Sequence, residues 1–221
     1  PTNHQRVLYA TLLFAYEYDS NVGSFPEFVG LGAIDDKDDS RAVVAFFGDL
    51  TLVQRECWNA GLIASALGAF QFDQDEFDFS EFMGGAYTNY AFSEDWFAGL
   101  RYEYHDSRIE AEHLAGDHRL VPNITRFIGD WGHITAYYEF NSASSNLPAL
   151  IPAQIQSGQA NAVGFTLAKY TRCGDGRIYF GYRFQDDDAD GADFVRQFHM
   201  VTARIEQPLC NNWIADAEVR Y

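Results

Sequence analysis

The feature that most constrains this chain is an alternation of apolar and polar side chains with a period of two residues. In the segment 177–184, two arginines, a tyrosine and a glycine alternate with Ile178, Phe180, Tyr182 and Phe184. Successive side chains of a β-strand point to opposite faces, so this pattern predicts a strand with one apolar and one polar face. The same pattern is clear in three other segments, 96–105, 133–140 and 213–221.

Weaker alternation extends the pattern to about eleven strands of roughly 9–13 residues. The further segments are about 6–18, 42–53, 60–72, 80–92, 118–128, 160–171 and 198–209. Strands of ordinary sheets mostly have about five or six residues, whereas a tilted strand that crosses a bilayer needs about 9–11. The sequence therefore predicts an all-β protein, a transmembrane antiparallel up-and-down β-barrel with about 11 visible strands in a single domain, 1–221.

An odd number of strands does not fit this prediction, because bacterial barrels made from a single chain have an even number. Pro122 makes the sixth strand the weakest of the set, since proline lacks the N–H that a ladder needs. We expect twelve or more strands in the complete barrel, and a chain that is part of a longer one.

The connections between the predicted strands alternate in length. Short ones lie near 54–59, 93–95, 129–132, 173–176 and 210–212. Longer ones lie at 19–40, 73–79, 106–116, 141–159 and 186–197. Outer-membrane barrels have tight periplasmic turns at one end and longer extracellular loops at the other, so this alternation favours a membrane barrel.

The tryptophans and the charges agree with that orientation. The four tryptophans lie at or beside the short connections, as expected of an aromatic girdle at one membrane interface: Trp58, Trp96, Trp131 and Trp213. The formal net charge is −17, and its acidic residues cluster in the longer connections. A protein that follows nucleic-acid phosphates needs a basic surface, so we exclude a nucleic-acid partner.

A soluble antiparallel sandwich also alternates apolar and polar positions, and is the main alternative fold. Strand length, the alternation of connection lengths and the position of the tryptophans favour the barrel. Outer-membrane lipid would then cover the apolar face, which predicts a location in the bacterial cell outer membrane.

The polar positions of the strands predict a charged barrel lumen. We assign to it Glu17, Asp49, Arg101, Glu103, His105, Arg119, Glu139, Arg177, Arg183, Arg204, Glu206, Asp216, Glu218 and Arg220. Opposite charges on neighbouring strands either pair and narrow the lumen or line a water-filled path, and about twelve strands leave both alternatives open.

An acidic stretch gives one candidate for a cation site. Asp186, Asp188 and Asp190 precede Gly191 with the spacing that opens a calcium-binding loop. The twelfth position is Gln197 instead of the usual Glu, and a solvated surface loop explains the acids as well. We predict no other cofactor.

Catalytic signatures are weak. His105, next to Asp106, and His113 are candidates to meet Asp73 or Asp75 at the rim of the loops and to act as a general base with its orienting carboxylate, but no spacing demands this. The sequence has no nucleophile elbow and no phosphate-binding loop. Cys173 and Cys210 lie in successive short connections, where a disulfide is one alternative and free thiols are the other.

Two stretches resemble a known family. Residues 16–22 read Y-E-Y-D-S-N-V, which resembles the Y-x-Y-D-S-N-V element that opens the barrel region of tetratricopeptide-associated bacterial outer-membrane proteins. That group is similar to the surface lipoprotein assembly modifiers. Residues 181–184, with the acidic stretch after them, resemble a late strand and loop of the same group. The resemblance implies an upstream periplasmic repeat domain and a role in export or surface assembly.

We therefore expect a membrane anchor or conduit of a larger envelope assembly, which is not an enzyme and has other envelope proteins as partners. The alternative is a porin-like channel for small solutes, and the third hypothesis is a hydrolase with its site in the longer loops.

Overall fold

The computed structural model describes residues 7–19, 39–72, 78–110, 112–146, 157–171, 176–192, 195–208 and 214–221. These residues form eleven β-strands in one sheet. The strands are β1 (Val7–Asp19), β2 (Asp39–Gln54), β3 (Trp58–Gln71), β4 (Phe79–Ala91), β5 (Trp96–Ile109), β6 (Glu112–Ile128), β7 (Gly132–Ser145), β8 (Gly158–Tyr170), β9 (Arg177–Ala189), β10 (Arg196–Pro208) and β11 (Ile214–Arg220). Across this part of the chain, no helix is long and apolar enough to cross a membrane.

The eleven strands follow one another in chain order, and every neighbouring pair is antiparallel. The all-β, up-and-down prediction and the count of eleven visible strands are confirmed. The sheet is open, because within the described ranges β1 pairs only with β2 and β11 only with β10. With an odd number of antiparallel strands, β1 and β11 run in the same direction, so antiparallel closure needs a further strand.

The connection lengths differ from the prediction at three places, and one of them is the predicted loop 141–159, which is shorter because β7 continues to Ser145. The predicted loop 106–116 is wrong, because β5 continues to Ile109 and β6 already begins at Glu112. Glu110, which follows β5, lies in a turn and has a φ of 50°. The predicted loop 186–197 is shorter than expected, since β9 continues to Ala189. The ends with the short connections lie close to where the alternation predicts them.

The register of the strands has a steady stagger. A line of directly paired residues that starts at Trp58 crosses β5 at Ala98, β7 at Ala136 and β9 at Tyr182. The crossing point moves away from the short turns by about two residues per hairpin. Two residues, about 6.7 Å, over two strand spacings of about 9.6 Å correspond to a strand tilt of about 35°, close to the tilt of strands in β-barrels.

The sheet buries side chains on one face only. The described non-glycine residues that are buried all lie at alternate positions on this face: Ile63, Ala69, Gln71, Met83, Glu103, Glu139, Ala162 and Ala168. We call this the charged face and the opposite one the apolar face. Within the described ranges no second layer packs on the sheet, so this burial indicates that the sheet curves toward its charged face.

Pro122 lies inside β6, the strand whose prediction was weakest. The pairs of β6 with β7 stop at Leu120 and resume at Asn123, which is the gap expected where proline supplies no N–H. The strand nevertheless continues in the same register on both sides, so the sixth predicted strand is confirmed.

Candidate functional site

A chain of alternating charges crosses the middle of the charged face. Its members, in order across the sheet, are Arg101, Glu103, Arg119, Glu139 and Arg183. Arg101 Nε donates to Glu103 Oε1 at 2.6 Å, and Arg119 Nη1 lies 3.5 Å from Glu103 Oε2. Glu139 accepts from Arg119 Nη2 at 2.7 Å and from Arg183 Nη2 at 3.0 Å. We call these five residues the ion-pair chain.

The two carboxylates of the ion-pair chain are the most enclosed charges described. Glu103 is 2% exposed and Glu139 is 6% exposed. Each one lies between two guanidinium groups, so each negative charge has two positive neighbours. Removing carboxylates from water is costly unless they are paired and hydrogen-bonded, and this arrangement supplies both conditions.

Small residues in β8 allow the ion-pair chain to continue from β7 to β9. Arg183 is on β9 and Glu139 on β7, with β8 between them. The residues of β8 paired with these two are Gly164, opposite Arg183, and Ala162, opposite Glu139. Because neither carries a long side chain, the Arg183 guanidinium extends over β8 and reaches the Glu139 carboxylate.

Further contacts surround this chain of charges on the same face. Toward β1, Arg41 Nε donates to Glu17 Oε2 at 2.7 Å, and both side chains are partly exposed. Tyr87 donates its hydroxyl to Asp49 at 3.0 Å. Toward β10, Arg177 contacts the Tyr179 hydroxyl, which in turn contacts Glu206.

The structure therefore places the predicted lumen residues on one face. The strand register also places Arg204 on this face. On β11, Asp216, Glu218 and Arg220 lie directly opposite residues of β10 that belong to this face. The side chains of the last three lie outside the described residues. The face is less polar near β1 than predicted, since it also carries Val7, Tyr9 and Leu13.

The apolar face exposes large side chains along the whole sheet. Phe14 is 72% exposed at the β1 edge, while Leu100 and Phe180 are each 44% exposed well inside the sheet. Other exposed members on neighbouring strands are Phe46, Leu62, Phe82, Leu120, Ile124, Ile134, Val163, Ile178, Val201 and Ile205. A sheet in water would place such side chains in its core, so the usual relation between polarity and burial is inverted.

The predicted tryptophan girdle lies at one border of the apolar face. Trp58 and Trp96 are the first residues of β3 and β5, and Trp131 lies in the turn before β7. The Trp58 indole Nε1 donates to Thr88 Oγ1 at 2.8 Å. Trp213 falls outside the described residues. Three of the four tryptophans therefore lie at the end of the sheet where the prediction placed them.

Tyrosine and histidine side chains form a second border of the apolar face, which the sequence did not predict and which we call the tyrosine border. Tyr102 and Tyr182 each hydrogen-bond to a histidine on the following strand, with 2.7 Å from the hydroxyl to Nδ1 of His118 and of His199. Each histidine ring also packs on an aromatic ring two residues beyond the tyrosine. The available signal was a pair of aromatic residues at i and i+2, followed by a histidine on the next strand.

The two histidines of the predicted base site lie on different faces, and its carboxylates, Asp73 and Asp75, lie outside the described residues. His113 Nδ1 lies 2.7 Å from Asp106 Oδ1, and Arg108 donates to the same carboxylate at 2.6 Å, on the side of the apolar face. His105 points to the charged face, 3.5 Å from Glu81 and 3.6 Å from Glu103. Among the described contacts, no Ser, Thr or Cys hydrogen-bonds to His113.

The acidic residues proposed for calcium lie mainly in a strand. Asp186 and Asp188 are two residues apart in β9, and Asp190 follows the end of the strand. Asp186 accepts a hydrogen bond from Gln197 at 2.9 Å. Within the described ranges, no group of three or more metal-binding side chains is placed to hold an ion. The calcium site stays a prediction.

The predicted disulfide involves residues that cannot be compared with the structure. Cys173 and Cys210 both lie outside the described residues. Cys57 lies exposed in the short turn between β2 and β3, without a disulfide partner in the described part.

No protein-family model matches this chain, and no curated protein is similar to it.

Proposed function

We propose that this chain forms a transmembrane β-barrel of a bacterial outer membrane and serves as the membrane anchor or conduit of a larger envelope assembly. The observation that carries the proposal is the inverted burial of the sheet. Carboxylates are buried on one face, whereas phenylalanines, leucines and isoleucines are exposed on the other. Hydrocarbon around the sheet and water or paired charges inside it account for both faces together.

The extent of the exposed apolar surface supports this proposal. Folded monomers in water rarely expose contiguous apolar patches larger than a few hundred Å². Here the exposed side chains run from β1 to β11 and are limited only at the two borders of the face. A surface of this kind needs a cover, and a lipid bilayer covers every strand of a curved sheet in the same way.

The width of the apolar band also fits a membrane. On β6, the apolar band lies between Arg126, which contacts Trp96 of the tryptophan girdle, and His118 in the tyrosine border. Eight residues of strand span about 27 Å, and a tilt of about 35° reduces this to about 22 Å along the membrane normal. The apolar band of outer-membrane barrels is about 25 Å tall.

The ion-pair chain favours an anchor or a gated conduit over a permanently open pore. Two carboxylates and three guanidinium groups meet across the middle of the charged face and hold one another in place. In a closed barrel with about twelve strands, side chains of this length from one wall extend far into the lumen. The resemblance of residues 16–22 to barrels of surface-assembly proteins agrees with this role.

A porin-like channel is the second candidate, and one feature favours it. A hollow of about 320 Å³ lies on the charged face over Gly181, between Arg183 and Tyr137 on one side and Tyr179 and Arg204 on the other. The arginine and tyrosine side chains in this lining suit a path for small hydrophilic solutes.

The membrane proposal is tested by adding the unfolded chain to phosphatidylcholine vesicles and separating the vesicles by flotation. We expect the chain to float with the vesicles and to resist extraction by alkali and urea. Val163→Asp on the apolar face should lower the inserted fraction, while Thr166→Asp on the charged face of the same strand should leave it nearly unchanged. Equal behaviour of the two variants, or a chain that stays soluble, would refute the proposal.

Planar-bilayer recordings distinguish the two candidates. A stable open channel with the unmodified chain would favour the porin. An anchor or gated conduit gives no steady current, and Glu139→Gln should then open occasional conductance by loosening the chain of charges.

A further inference from the structure

Three basic side chains cover the three described tryptophans of the girdle. Arg55 lies 5.8 Å from the centre of the Trp58 ring, and Arg126 lies 5.3 Å from that of Trp96. Lys169 lies 6.0 Å from the ring of Trp131. The arrangement recurs on three successive hairpins, although the cation comes from a turn in the first case and from a neighbouring strand in the others. We call these three pairs the cation–tryptophan border.

These three cations differ from six arginines elsewhere in the sheet, which are paired with carboxylates. Arginines with a carboxylate within ion-pair distance are Arg41, Arg101, Arg108, Arg119, Arg183 and Arg196. In the part of the chain that the structure describes, no carboxylate lies within that distance of Arg55, Arg126 or Lys169. Acidic residues do lie in the same short turns, at Glu56, Glu94, Asp95 and Asp130, but none of them is within ion-pair distance of these cations.

The position of the cation–tryptophan border matches the chemistry of a lipid headgroup. An indole ring at the edge of an apolar band lies at the level of the headgroups, with its ring against acyl chains and its N–H toward water. A guanidinium or ammonium group on that ring remains close to the membrane surface and still has donors to offer. Phosphate groups are the anions present at this level, and guanidinium groups bind them with two parallel hydrogen bonds.

We propose that the cation–tryptophan border binds the phosphate groups of anionic glycerophospholipids in the leaflet beside the short turns. This rests on the membrane insertion proposed above and adds a lipid selectivity to it. Each hairpin provides one site, in which the cation contacts the phosphate and the indole packs against the upper part of the acyl chains. Among the described residues of the opposite border, the apolar side has no such site, since Arg108 is already paired with Asp106 at 2.6 Å.

The test uses the chain inserted in phosphatidylcholine vesicles that contain brominated lipid, which quenches tryptophan fluorescence on contact. Brominated phosphatidylglycerol is compared with brominated phosphatidylcholine. We expect phosphatidylglycerol to be favoured by about fivefold, the effect of one basic side chain near an anionic surface. The variant with Arg55→Gln, Arg126→Gln and Lys169→Gln should lose this preference, and Arg108→Gln, the control at the other border, should keep it.

Two outcomes overturn the proposal. One is equal quenching by the two lipids in the unmodified chain. The other is a preference that survives in the triple variant. If the triple variant does not insert, the unmodified chain still provides the test, because the preference must fall when the salt concentration rises from about 0.05 M to 0.5 M. A preference that salt leaves unchanged contradicts the proposal as well.

The failure of this inference is distinguishable from the failure of the membrane proposal. A chain that inserts in phosphatidylcholine but shows no lipid preference refutes only the headgroup sites. A chain that inserts in neither kind of vesicle refutes the membrane barrel, and the headgroup sites with it.

Discussion

Neutralising Glu139 is the sharpest test of the ion-pair chain. Glu139→Gln keeps the shape of the side chain but removes the charge that lies 2.7 Å from Arg119 and 3.0 Å from Arg183. Arg119 then keeps only the longer contact with Glu103, at 3.5 Å. Breaking a fully buried ion pair costs about 3–5 kcal/mol. Because the two arginine side chains are 36% and 20% exposed, water compensates in part, and we expect a loss of about 2–3 kcal/mol.

Glu17→Gln is the matched control. It makes the same chemical change in an ion pair with Arg41, but the Glu17 side chain is 45% exposed at the sheet edge. Exposed pairs contribute about 0.2–1 kcal/mol, so the control should cost less than about 1 kcal/mol. Both variants are compared with the unmodified chain by urea titration in lipid vesicles, followed by tryptophan fluorescence. Equal losses in the two variants, or a loss below about 0.5 kcal/mol for Glu139→Gln, would contradict the buried network.

Three other predictions concern the faces and ends of the sheet. Leu100→Arg should destabilise the inserted chain by about 2–4 kcal/mol, because Leu100 pairs with Pro122, midway between Arg126 and His118 in the apolar band; a urea titration that gives less than about 1 kcal/mol would contradict the assigned face. Gly164→Ala should cost about 1–3 kcal/mol, since a Cβ there would lie 2.5 Å from the Tyr182 carbonyl oxygen, whereas Gly84→Ala, with nothing within 4 Å, should be nearly neutral in the same titration. Cys57 should react with a membrane-impermeant maleimide only after the outer membrane is permeabilised, because it lies in a short turn, and labelling of intact cells would reverse the predicted orientation.

The strands could be predicted because their signal is local. Successive side chains of each strand point in turn to the charged face and to the apolar face. A shift of one residue in the strand register would exchange the two faces. Leu100 and Glu103 are three residues apart, so their side chains lie on opposite faces of the sheet, and the same holds for Phe180 and Arg183. This arrangement follows directly from the sequence. The residues predicted to line the lumen lie on one face of the sheet for the same reason.

Two of the errors, at 106–116 and 186–197, arose where charge was taken as a sign of a loop. The stretch 106–116 is rich in charged residues, but it is a hairpin in which Asp106 contacts both Arg108 and His113. The contact between Asp106 and His113 joins two strands and forms only once β5 and β6 are paired. The contact of Arg183 with Glu139 depends similarly on the small residues of β8, and no periodicity reveals which side chains will extend over a neighbouring strand.

Spin labels placed one at a time along residues 178–184 provide the most direct test of what covers the apolar face. The measurement is the accessibility of each label to oxygen, which concentrates in the bilayer, and to a water-soluble nickel complex, for the chain inserted in vesicles. We expect high oxygen accessibility at 178 and 180 inside the apolar band, lower values at 182 and 184 in and beyond the tyrosine border, and low values at the three positions between them. Labels at the even positions that are shielded from both reagents would show that protein covers this face, and would contradict the account.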